Sequence, residues 1–109
     1  MITREAFFAL RPEVKEVQVP ALGDAVYVKQ LTVGEMNRLH IESSKEGGLN
    51  FSMYLIVTSV CDADGVRVFN DDDVDRVSGL PTQVFTDVLK AAVAVNKLSE
   101  DDVKDLEKN

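Results

Sequence analysis

The chain has 109 residues, 45% of them apolar and 28% charged, with a formal net charge of −7. That is enough for one hydrophobic core and too little for two, so a single domain spanning residues 1–109 is expected, folded rather than disordered. The acidic balance, with Lys and Arg scattered singly along the chain, speaks against nucleic acid as a partner.

Thr3 is placed to cap a short helix that runs to Leu10 and is stopped by Pro12. Arg4 and Glu5 interrupt this segment too early for a secretory signal. Phe7, Phe8 and Leu10 put three large apolar side chains where a terminus is ordinarily polar. They are the candidate partner-binding residues. The competing reading has them folded back onto the next element as core, since a small domain needs the burial.

Val17 and Val19 alternate with Glu16 and Gln18, and Val26 and Val28 with Tyr27 and Lys29, the period of half-buried strands. Pro20, Gly23 and Asp24 supply a turn between them, which predicts a β-hairpin over about residues 14–31. From Thr32 the period becomes helical. Three helix starts pair a capping box with a hydrophobic staple: Thr32/Glu35 with Leu31/Met36, Asn70/Asp73 with Phe69/Val74, and Ser99/Asp102 with Leu98/Val103.

The first of these helices should run from Val33 to Lys45 and stop at Gly47 and Gly48, with Asn50 capping the next. Phe51 to Cys61 has no broad polar face, so it reads as a central buried helix, and its length is about half of what a bilayer span requires. No membrane association is expected. Asp62 to Gly65 makes a turn and Val66 to Phe69 an extended piece. A brief helix from Asp71 ends near Gly79, and Pro81 fits the first turn of the longer helix that follows. There Val84, Phe85, Val88, Leu89, Ala92 and Val95 form a stripe expected to pack on the Phe51–Cys61 helix. A terminal helix, acidic at Glu100 to Asp102 and basic at Lys104 and Lys108, completes an α+β domain: an N-terminal β-hairpin packed with four to five helices. The expected core includes Phe51, Leu55, Phe85, Val88, Leu89 and Ala92.

The chain offers little for catalysis. His40 and Cys61 are its only histidine and cysteine, fall on different predicted helices and lack a flanking motif. A lone cysteine forms no internal disulfide, which fits a reducing compartment and a cytoplasmic location. Asp62, Asp64 and Gly65 resemble part of a calcium loop, but Val60 stands at the first ligand position and Asp71 where the bidentate Glu belongs. The Asp71, Asp72, Asp73 and Asp75 cluster matches the charge preference of a helix start. Gly47 and Gly48 lack the lysine and hydroxyl of a phosphate loop. No catalytic, cofactor-binding or metal residue is therefore expected.

Three blocks occur in order: VQVPALGDAVYVKQLTVGEMNRL from Val17 to Leu39, CDADGVRVFNDDDVD from Cys61 to Asp75, and AVNKLSEDDVKDLEKN from Ala94 to Asn109. Together they resemble the tail assembly chaperones of long-tailed phages over nearly the whole chain. Leu22 stands where many relatives carry an aromatic residue in the hairpin turn. The resemblance implies a non-enzymatic protein of the bacterial host cytoplasm that is absent from the mature virion. It also implies self-association and binding of the tape measure protein, kept soluble until tail-tube subunits polymerise, with the tail-tube protein as a further partner. The alternative is a structural tail or head-tail connector subunit, though such folds spend more of the chain on strands.

Overall fold

A computed structural model describes residues 1–45 and 51–98. Helix α1 (Arg4–Phe8) precedes an antiparallel hairpin, β1 (Val14–Val19) and β2 (Asp24–Lys29), in which Val17 faces Val26 and Val14 faces Lys29. Gly23, at φ 69°, closes its turn in the left-handed region that glycine occupies without strain. Helices α2 (Val33–Ser44), α3 (Phe51–Ser59), α4 (Val74–Val77) and α5 (Thr82–Val95) follow, with α4 preceded by a single 3-10 turn at Asp71–Asp73. The α+β layout expected from the change of period at Thr32 is the one found.

The capping box at Thr32 is complete: its hydroxyl accepts the Glu35 amide at 3.1 Å and the Glu35 carboxylate accepts the Thr32 amide at 2.9 Å. At the second start the Asp73 carboxylate accepts the Asn70 amide at 2.8 Å. The third box at Ser99/Asp102, the terminal helix, the Gly47/Gly48 stop and the Asn50 cap lie outside the described residues. Pro81 stands one residue before α5, at its N-cap in extended geometry, rather than within the first turn.

The expected helix from Phe51 to Cys61 is shorter than the apolar run. It ends at Ser59, and Val60 and Cys61 form a third strand, β3, pairing antiparallel with β2 through Val28↔Val60 and Tyr27↔Cys61. The cause lies in where the backbone groups find partners. The far edge of β2 supplies a ladder for residues 60 and 61. Meanwhile the Arg67 guanidinium donates to the Val57 carbonyl at 2.8 and 3.1 Å, satisfying an acceptor the helix end leaves free. Arg67 also pairs with Asp71, which binds Arg38 of α2, so one carboxylate ties α2 to the segment after β3.

The apolar faces of α3 and α5 and the inner face of the sheet meet in one core. Phe51, Leu55, Val28 and Ala92 are fully buried together with Leu39, Ala91 and Val95, and Val19, Ile56, Val84 and Val88 continue the layer. Of the expected core residues, Phe85 and Leu89 are half-buried on its flank.

Helix α5 ends in a Schellman motif. Leu98 donates to the Val93 carbonyl at 2.9 Å and Lys97 to that of Ala94 at 3.1 Å, with Lys97 itself in the left-handed region at φ 57°. A side chain there is strained, so Lys97→Gly is expected to stabilise the fold by roughly 0.5 to 1 kcal/mol, visible as a higher thermal midpoint.

The Lys29–Glu35 ion pair, 2.7 Å between Nζ and Oε2, joins β2 to the start of α2, with side chains 12% and 24% exposed. Burial pushes the Glu35 carboxyl up, but the hydrogen bonds from Lys29 and from the Thr32 amide outweigh it, leaving the group below its ordinary 4.5. A carboxyl lowered on folding stabilises the native state above its unfolded pKa and loses that contribution as pH falls through the folded value. The stability advantage of the native chain over Glu35→Gln should therefore be full at pH 7 and shrink on acidification below 4.5, as followed by thermal melts along a pH series.

Candidate partner-binding site

The segment before the hairpin is a built arm. Thr3 caps α1 by accepting the Ala6 amide at 3.1 Å, and the Arg11 guanidinium folds back onto the carbonyls of Phe8 and Leu10 at 3.3 and 3.1 Å, neutralising the helix end. Phe7 and Phe8 meet edge to face, ring centroids 5.7 Å apart, and Arg4 lies 5.3 Å from the Phe8 ring centre on its face. No residue of α1 is buried: Phe7 is 56%, Phe8 67% and Leu10 64% exposed.

The alternative in which these residues fold onto the hairpin as core is not what the chain does. The sheet's inner face is already occupied, since α5 packs on both β1 and β2 and leaves Val19 and Val28 with almost no accessible surface. The base of the arm is tied down where the Gln30 amide donates to the Glu13 carbonyl at 2.8 Å and the Gln30 side chain accepts the Glu13 amide at 3.2 Å.

Beside that base opens a groove of about 620 Å³ between the start of α2 and the end of α5. Its walls carry Leu31, Val33, Met36, Asn37 and His40, and Asn96 sits at the α5 end. Sequence reading missed it because Leu31 and Met36 were legible only as a staple within one helix. The visible signal was Val33, an apolar residue in the first turn off the buried face, and it is 90% exposed.

The residues that might have carried chemistry stand apart. His40 is exposed in this groove, its ring nearly perpendicular to that of Phe51 at 6.1 Å between centroids, whereas Cys61 is buried in β3 and lines no part of the groove. Burial pushes the Cys61 thiol up, and nearby Asp62 adds to the shift while Lys29 opposes it, so the thiolate needed for nucleophilic attack is disfavoured. The Asp62 carboxylate accepts the amides of Asp64 and Val66 at 2.9 and 3.0 Å, the hydrogen bonds of an Asp-Gly turn. Among the described residues, no group of three or more His, Cys, Asp or Glu side chains is placed to hold a metal ion, and no helix is long and apolar enough to cross a membrane.

A hairpin backed by helices with an apolar arm ahead of it is the α+β layout expected from the sequence. A family model described as phage tail assembly chaperone, TAC, matches residues 1–96, and the chain belongs to that family, one of chaperones rather than enzymes. No curated protein sequence matches it. Among solved structures, the tail assembly chaperone of bacteriophage HK97 shares its fold, with a TM-score of 0.64 at 23% identity, over 84% of this chain and 88% of the other. Membership of the family implies partners among phage tail proteins.

Proposed function

We propose that this chain is a non-enzymatic single-domain chaperone that binds the tape measure protein of its phage and keeps it soluble in the host cytoplasm until the tail tube polymerises around it. It self-associates while doing so, leaves before the virion is complete, and meets the tail-tube protein as that handover occurs. What supports the reading, beyond the family, is the arm. Phe7, Phe8 and Leu10 stay in water although the chain has an otherwise well-packed core, and an exposed apolar cluster of this kind marks an interaction surface.

Deletion of residues 1–10 is the test. Because none of α1 is buried, the shortened chain should keep its stability within about 0.5 kcal/mol, the range of substitutions away from the core, and lose self-association and tape-measure capture. A shortened chain that stays folded and still does both would remove the arm from the mechanism. Mass spectrometry of lysates and purified virions provides the second check: the protein should be present in the first and missing from the second. Its recovery in virions would make it a tail or connector component instead.

A further inference from the structure

We infer that the free edge of β1 is a second docking site, which takes up an extended segment of a client polypeptide as an added strand, a segment in which apolar and basic residues alternate. This rests on the reading above, in that it names the kind of segment the chaperone holds, and it leaves the arm its own contact.

The backbone selects an extended occupant. The sheet runs β1-β2-β3, so β1 is an edge strand. Its ladder with β2 is continuous from Val14↔Lys29 to Val19↔Asp24, with no bulge to twist the edge away and no proline to blunt it. The Gln30 amide donates to the Glu13 carbonyl, which sets the alternation: residues 13, 15, 17 and 19 direct their backbone groups at β2, and Val14, Glu16 and Gln18 direct theirs outward. Among the described residues, nothing hydrogen-bonds to these outward amides and carbonyls. An amide and a carbonyl on every second residue match an extended chain, whereas a helix has its own backbone groups already paired.

The side chains select its composition. Successive residues of a strand face opposite sides of the sheet, so an incoming strand meets both faces in turn. On the side that α5 covers, Val17 packs against the core only half-buried, beside buried Val19, and an apolar residue opposite it completes its burial. On the other side Glu16 accepts the Tyr27 hydroxyl at 3.2 Å and pairs with no cation among the described residues, whereas Lys15 already has Glu13 at 3.6 Å. A basic residue opposite Glu16 supplies the missing charge, and the chain's net −7 draws a cationic segment to the edge. A second copy of β1 is the poorer occupant. In the antiparallel register centred on Glu16, two copies set that carboxylate against its twin, and like charges directly opposite destabilise a ladder.

The probe is a synthetic peptide of about eight residues in which valine and lysine alternate, long enough to span β1, titrated calorimetrically into the full-length chain. Native chain should bind it at least about tenfold more tightly than a peptide of the same composition with its valines and lysines in separate blocks. Gln18→Pro removes one outward N–H without touching the ladder to β2, a position where an edge strand tolerates proline, and should weaken binding by about tenfold. Glu16→Lys leaves the backbone intact and should reverse the preference, favouring a peptide in which valine alternates with glutamate. If Gln18→Pro proves misfolded by circular dichroism, Glu16→Lys carries the test alone.

Native chain that binds neither peptide or binds both equally, folded Gln18→Pro that binds as native does, or Glu16→Lys that still prefers lysine would each overturn the inference. The functional reading has its own readout, solubility of co-expressed tape measure protein. Native chain that binds no peptide yet keeps that protein soluble would sink this inference alone. Peptide binding beside insoluble tape measure protein would sink the functional reading and leave the edge site intact.

Discussion

Leu55→Ala is expected to cost about 2 to 5 kcal/mol of folding stability, the range for truncating a leucine with no accessible surface. Leu55 lies at the centre of α3, in the cluster that joins Phe51 and Leu39 to Val28 of the sheet and to Ala91, Ala92 and Val95 of α5. All three layers border the space its side chain fills, and none can close it without disturbing the others. A chain of this size has roughly 5 to 15 kcal/mol in total, so soluble expression should fall sharply. Urea denaturation measures the effect, and a loss under about 0.5 kcal/mol would show that α3 is not central.

Asn96→Ala is expected to cost about 2 to 3 kcal/mol, unusually much for a residue just beyond a helix end. The amide side chain accepts the Leu31 N–H at 2.8 Å and donates to the Ala92 and Lys29 carbonyls at 3.0 and 3.3 Å, locking the end of α5 to the end of β2. Alanine leaves a partly buried Leu31 amide with nothing in its place. Asn96→Asp separates the contributions, because a carboxylate still accepts from Leu31 but faces the two carbonyls without a donor. Denaturation midpoints should fall for both variants. If Asn96→Asp matched the native chain, the donor side of the clamp would be unimportant.

These two residues differ in how far the sequence reveals them. Leu55 sits in a run so apolar that burial is the one outcome its composition allows, and the stripe on α5 that covers it follows helical spacing. The hairpin was legible in the alternation of Val17, Val19, Val26 and Val28, and the start of α2 in the Thr32/Glu35 box. Asn96 is different. Its partners at Lys29 and Leu31 lie more than sixty residues away, and nothing local marks an asparagine as a clamp rather than a helix terminator. A continuous apolar run carries no period, so the sequence alone extends the helix through Val60 and Cys61, and the free edge of β2 decides that they become strand. Lys97 occupies a left-handed position that sequence rules reserve for glycine or asparagine.

The candidate site was legible in identity but not in setting. Phe7, Phe8 and Leu10 stood out as apolar residues ahead of Pro12. Whether they would be core or surface depended on what else covers the hairpin. That is α5, which arrives some sixty residues later in the chain and fills the face they would have used. The groove is lined almost wholly by residues between Gln30 and His40, and what the sequence does not show locally is that Asn96, just beyond α5, closes one end of it.

Co-expression of the phage's own tape measure protein with this chain is the most direct measurement of the account. The soluble fraction should contain the tape measure protein when native chain is present, co-purifying with it, and should lose it when the chain is omitted or carries F7S/F8S. A tape measure protein that stays insoluble beside abundant, folded native chain, or that is equally soluble without it, would contradict the account.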